Sequence, residues 1–203
     1  MSRQATEKGL SVIGRCVAVA LALLLAACQS GADEAVSVQP RPTVTPVVVQ
    51  GGDYASQEHD YGLTFPDGWQ VRAEEFGLDV IGMRPAVPET RFRSNVNVVV
   101  ERVPDMTLVR WTRLAAAQTE TVIDGYRSVA TSRSRLGGQP AWEHRFTGVQ
   151  DGTPVTFLQV STLRGGRAYV MTAVSASGEF RSSLDEFRRI IDSFAFEGPA
   201  PSS

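Results

Sequence analysis

After residue 60 the chain moves between two hydrophobic periods. Tyr61, Leu63 and Phe65 alternate with polar or small neighbours, and the alternation resumes at Trp69. Period two predicts a short strand over residues 61–65 and a returning strand from Trp69. Pro66-Asp67-Gly68 between them carries turn chemistry. Proline presets a turn-type φ, aspartate bonds the local backbone, and glycine takes the left-handed position. Residues 78–83 and 96–103 read as further strands, with Arg91, Phe92, Arg93 and Ser94 in the loop between them. The period then becomes helical: Leu108, Trp111, Ala115, Gln118 and Val122 share one face. Asp105 or Thr107 can cap this helix, and Asp124-Gly125 ends it.

Residues 126–136, 139–149, 153–163 and 167–176 all return to period two. They are separated by Gly137-Gly138, Gln150-Asp151-Gly152 and Gly165-Gly166, steps that supply the positive φ of tight hairpins. Consecutive hairpins predict a four-strand antiparallel meander. A last helix is predicted from about Glu179 to Ser193, with an apolar stripe of Phe180, Leu184, Phe187, Ile191 and Phe194. Arg188 and Arg189 fall in its final turn, where they complement the helix dipole. The expected class is α+β: one antiparallel sheet and two long amphipathic helices.

Several of these pieces recur in a known family. Tyr61-Gly62-Leu63-Thr64-Phe65-Pro66-Asp67-Gly68-Trp69 resembles the opening motif of PsbP-like and DcrB-like domains. Asn95-Val96-Asn97-Val98, Gly137-Gly138-Gln139-Pro140-Ala141 and Gly166-Arg167-Ala168-Tyr169-Val170 are similar to later motifs, as is the closing 187–194 stretch. The resemblance spans about residues 54–196. It implies an α/β/α sandwich around a single antiparallel sheet. Members include an extrinsic photosystem subunit that helps retain ions at a water-oxidising site, and bacterial envelope lipoproteins. The photosystem subunit's metal and docking residues have no match here, so none is carried over. The family works mainly without catalysis, which argues by analogy against an enzyme.

The amino-terminal part has a different composition. Arg3, Lys8 and Arg15 precede an apolar run from Val17 to Ala27. Arg15 leaves that run short of the roughly twenty residues a membrane span needs, so residues 1–27 read as a signal peptide. Leu25-Ala26-Ala27-Cys28 resembles the bacterial lipobox. By that resemblance cleavage falls between Ala27 and Cys28, and Cys28 carries a thioether-linked diacylglycerol. Residues 28–57, rich in Ser, Gly, Ala and Pro, are expected to form a tether spanning roughly 30 Å. Residues 58–197 are the expected globular domain and 198–203 a frayed tail. Removing residues 1–27 takes three basic side chains and one acidic, moving the formal net charge from −2 to −4. It also removes Cys16, so the mature chain has one cysteine and no internal disulfide. The negative balance excludes the electrostatic footprint of a nucleic-acid binder.

Candidate chemistry is sparse. His144 lies between Trp142 and Phe146 on one strand face, and His59 sits where the tether meets the domain. No Gly-x-Ser-x-Gly elbow accompanies them. Glu74, Glu75 and Asp79 read as a solvated acidic loop more readily than as Ca²⁺ ligands, since no EF-hand pattern is present. No catalytic residue, metal site or cofactor is therefore assigned. Arginines recur in pairs, and Arg133, Arg135, Arg91 and Arg93 are the candidates for docking to anionic groups. The expected function is that of an extracytoplasmic, lipid-anchored binding or scaffold module for an envelope protein or envelope component. The alternative is a carrier of a small apolar or anionic ligand between the first helix and the sheet; a hydrolase ranks third. Mass spectrometry of the mature protein should find a diacylated Cys28 at its amino terminus, and Cys28→Ser should release a folded domain from membranes. An unmodified Cys28, or cleavage elsewhere, counts against the anchor.

Overall fold

The computed structural model describes residues 48–75, 77–88 and 92–197. The expectations on the leader, on Cys28 and most of the tether, on Arg91 and on the 198–203 tail lie outside the described residues. The elements run β1 (Val48–Ala55), β2 (Tyr61–Ala73), β3 (Val80–Met83), β4 (Asn95–Arg102), α1 (Leu108–Val122), β5 (Asp124–Leu136), β6 (Gln139–Gln150), β7 (Thr153–Arg164), β8 (Arg167–Ala176), α2 (Phe180–Asp192) and β9 (Ala195–Phe196). The nine strands form one sheet in the order β1-β2-β3-β4-β8-β7-β6-β5, with β9 added to β2. Every pairing among them is antiparallel, so the class is α+β. The β5–β8 meander follows the glycine turns as expected. α1 is the crossover that carries the chain from β4 in the middle of the sheet to β5 at its edge.

The reading of residues 61–73 as a hairpin is corrected. The two halves of this stretch do not pair with each other; both pair with β1, Gln70 opposite Gln50 and Phe65 opposite Gly52. Residues 66–69 therefore face Gly51 alone. Gly51 and Gly52 both have positive φ, 57° and 86°, so β1 turns where β2 bulges. A Cβ on Gly51 would lie 2.5 Å from the Pro66 carbonyl oxygen, which only glycine avoids. The β1–β2 ribbon bends sharply here. Ala73 pairs with Val80, yet the Tyr61 hydroxyl reaches the Asp79 carboxylate next to it. A straight strand would hold Tyr61 and Ala73 about 40 Å apart. The turn chemistry of Pro66-Asp67-Gly68 is thus real, but it makes a corner. The tether boundary is corrected as well: residues 48–55, expected to be tether, form an edge strand.

Alternate residues of the same strands face two apolar clusters. Val80, Val98, Tyr169 and Met171 pack with Phe65, Trp69, Phe187, Ile190 and Phe194 on the α2 side. Ile81, Val99, Ala168 and Val170 pack with Trp111 and Ala115 of α1. On the α2 side the folded half of the ribbon adds an aromatic layer, with Tyr61 stacked on Phe194 at 4.8 Å between centroids and Tyr169 edge-on to Phe196 at 4.8 Å. Polar contacts fix α2 in place: Trp69 Nε1 donates to Glu186, Arg84 pairs with the same carboxylate, and Arg188 holds Glu143 at 2.5 and 2.8 Å. The α1 stripe is rotated from the expected one. Thr107 caps the helix, but Trp111, Ala115 and Thr119 are its buried positions and Val122 is exposed.

Two substitutions test this packing. Phe187→Ala should cost about 3–5 kcal/mol, because its cavity opens beneath a pinned helix. Gly82→Ala should be at least as damaging for the opposite reason, since its new Cβ would lie 2.2 Å from the Phe65 ring folded over it. Arg133→Ala should change stability by no more than about 0.5 kcal/mol. Urea titration of the three variants measures these values, and a neutral Phe187→Ala would mean that α2 does not pack as described.

Candidate functional site

The site follows from the small side chains of α1. Trp111 anchors the helix over β3, β4 and β8. Above the middle of β5–β7 the helix presents Thr112, Ala115 and Ala116, small side chains that leave space over the strands. A cavity of about 100 Å³ remains there, with His144, Ser128 and Trp142 in its wall. Trp142 also lines a larger, open groove of about 640 Å³ beside the start of α1. Leu108 and Val109 form one side of that groove, Pro140 and Trp142 its floor, and Arg133 and Arg135 its rim. Pairing of Arg133 with Trp142 and Arg135 with Pro140 puts both guanidinium groups on the α1 face of an edge strand. Both arginines are exposed, and Arg135 Nη1 donates to the Gly138 carbonyl at 2.9 Å.

The other candidates disperse. Arg93 is folded onto its own segment, its Nε donating to the Arg84 carbonyl at 2.6 Å, so it does not join Arg133 and Arg135. Arg91 lies outside the described residues. His144 is buried, with Nε2 3.1 Å from Ser128 Oγ and 3.3 Å from the Tyr126 hydroxyl. Burial lowers its pKa below the ordinary 6.5, so the ring is neutral at pH 7. A serine is thus in reach of a neutral imidazole. Among the described residues, however, no carboxylate forms an ion pair with His144, whereas a triad needs an acid to orient the ring.

The acidic loop separates into unrelated contacts. Glu75 pairs with Arg72 at 3.0 Å. Asp79 is buried and accepts from Tyr61, from Tyr54 at 3.3 Å and from Ser56 at 3.3 Å, with His59 Nε2 3.4 Å away. Burial, reinforced by the Asp79 charge, pushes the Tyr61 pKa far above that of ordinary tyrosine, so its hydroxyl stays a donor. This cluster ties the folded half of the ribbon to the start of β3. Spacing alone does not show it, because its members come from segments that meet only through the corner.

Solved structures supply the wider context. The fold is similar to that of LpqN, a protein involved in cell envelope biogenesis of Mycobacterium tuberculosis, at 15% identity over 75% of this chain and 91% of that one, with a TM-score of 0.55. It is equally similar to cyanobacterial PsbP from Synechocystis sp. PCC 6803, at 15% identity over 78% and 98% of the two chains, with a TM-score of 0.54. A Pseudomonas aeruginosa protein of unknown function, PA94, matches at 14% identity over 76% and 100%, with a TM-score of 0.53. At these identities the likeness is one of fold, and the domain has the PsbP-like fold that its motifs resemble. No family model matches the chain, and no curated protein matches it in sequence.

The buried histidine carries a pH prediction. Its folded pKa is depressed, so below about pH 6.5 the unfolded chain binds the proton more readily than the native one. Stability should therefore fall as the pH drops through and below that value. His144→Gln should remove this part of the pH dependence. Urea titrations of both proteins between pH 7.5 and pH 5, roughly the range over which histidine titrates, measure it. Parallel pH profiles for the two would show that His144 is not held neutral by the fold.

Proposed function

We propose that this chain is a non-catalytic, envelope-associated binding module, held at a membrane through lipidated Cys28 and docking a partner in the groove between α1 and β5–β6. The carrying observation is the groove itself: an open apolar floor containing Trp142, rimmed by Arg133 and Arg135 on an exposed edge strand. Aromatic and arginine anchors beside an apolar pocket are the side chains that concentrate binding energy at protein interfaces. The likeness in fold to LpqN, itself involved in envelope biogenesis, supports an extracytoplasmic setting. Among the described residues no helix is long and apolar enough to cross a membrane, which fits attachment by a lipid. The domain is read here as a helix–sheet–helix sandwich, because its two apolar clusters use alternate residues of the same strands.

The groove volume supports a second reading. About 640 Å³ lies within the range of small-molecule sites, so a carrier of a small apolar or anionic ligand would use the same walls. In that case Trp142→Ala should abolish binding of an apolar fluorescent probe.

The test of docking is crosslinking and pull-down from intact membranes. Arg133→Glu with Arg135→Glu should weaken capture of the partner about tenfold or more, and added salt should weaken the native complex. An ester, phosphate and peptide substrate screen should find no turnover. Turnover that disappears in His144→Ala would replace this reading with a hydrolase built on Ser128 and His144.

A further inference from the structure

Three arginines stand in one row on the α2 face of the sheet. Arg102 of β4 is directly opposite Arg167 of β8, and Arg167 is directly opposite Arg164 of β7. Cross-strand neighbours lie about 5 Å apart at Cβ, and like charges so placed repel. Among the described residues, neither Arg102 nor Arg167 forms an ion pair with a carboxylate. The Arg164 guanidinium lies over the Phe196 ring at 4.3 Å, which keeps it on this face. Arg102 and Arg167 line a cavity of about 510 Å³ together with His59 and Val100. Two carboxylates also border it without breaking the row. Glu58 is drawn toward His59, 3.9 Å from its Nε2, and Glu101 occupies the opposite-facing register position beside Ala168. The Tyr169 hydroxyl donates to the carbonyl of His59, a lining residue, at 3.3 Å.

We infer that this row is an anion site that takes the phosphate group of a phosphorylated ligand between Arg102 and Arg167. Two guanidinium forks match a tetrahedral dianion in charge and in donor geometry. A bound phosphate would turn the repulsion within the row into attraction toward a shared centre. β1 begins opposite Arg72, so the chain enters the sheet from this same end. A lipid headgroup is therefore as accessible a source of the phosphate as a free metabolite. The site is distinct from the α1 groove, which lies on the opposite face.

The full chain in neutral detergent micelles should be titrated with glycerol 3-phosphate and, separately, with dihexanoyl phosphatidic acid. Calorimetry and NMR of the arginine side chains report binding. Saturable binding by at least one probe is expected, weakened by salt, with the largest shifts at Arg102 and Arg167. Binding of glycerol 3-phosphate assigns a free phosphorylated ligand; binding of phosphatidic acid alone assigns a headgroup. Arg102→Gln and Arg167→Gln should each weaken binding about tenfold or more. Neither should lower the thermal midpoint, since each removes a like-charge contact. The proposal is overturned if native Arg102 and Arg167 do not shift with either probe, or if the double variant binds as well as the native chain. A fall in midpoint that Arg102→Lys does not restore would mark the row as structural and overturn it too.

Discussion

The structure depends on one corner. Gly51 and Gly52 turn β1 at the point where residues 66–69 bulge out of β2, and the far half of the ribbon folds over the sheet. That places Phe65 on Gly82, brings Tyr61 to the buried Asp79, and lets β9 pair with Tyr61 and Gly62. Burying a carboxylate is costly unless its oxygens are well satisfied, and Asp79 is satisfied only when the ribbon is folded. The corner and the Asp79 cluster therefore stabilise each other. Chain geometry supplies the bend, and burial of Tyr61, Leu63 and Phe65 holds it.

The two faces of the sheet are closed to different degrees, and the candidate site lies on the less closed one. The α2 face receives Phe187, Ile190 and Phe194 together with the folded ribbon, and its aromatics interlock. The α1 face receives one fully buried large side chain, Trp111, with Leu108 and Leu114 only partly buried beside it and small Ala115 and Thr119 further along. Cavities remain wherever the helix is too small to reach the strands. Trp142 and His144, which a larger helix would cover, border open space instead. The open space on this face is a product of underpacking.

Much of this architecture is legible in the sequence, and the exceptions have physical causes. The meander is plain because paired glycines and Asp-Gly steps each have a local reason. Both helices are plain from their helical period, and α1 also from its Thr107 cap, although the buried stripe of α1 is rotated from the expected one. The corner is not, because Pro66-Asp67-Gly68 favours a turn whether or not the flanking strands pair. One signal does separate the cases: Tyr61, Leu63, Phe65, Trp69 and Val71 keep a single parity through the turn, as one bulged strand would. β1 is hidden because the prolines before its valines and its two glycines read as linker. Arg133 and Arg135 sharing one strand face is readable by period two, whereas the row of Arg102, Arg164 and Arg167 needs the β4–β8 pairing that only the crossover creates. Arg93 looks free in the sequence and is bound to the neighbouring backbone in the fold.

Both ends of the sheet are irregular. At one end β1 breaks its register between Gln50 and Gly52; at the other, β5 breaks between Asp124 and Arg127 and again between Ser128 and Ala130. An open sheet of this width is a template for growth, since each end strand offers backbone groups to any extended chain that meets it. A straight edge would let neighbouring molecules zip together in register. Here an incoming strand finds matched hydrogen-bond partners for only a few residues before the ladder shifts out of phase, and on β5 it also meets the charges of Arg127, Arg133 and Arg135. Such edges disfavour long in-register pairing between copies of the chain and leave only short stretches of matched ladder for an added strand.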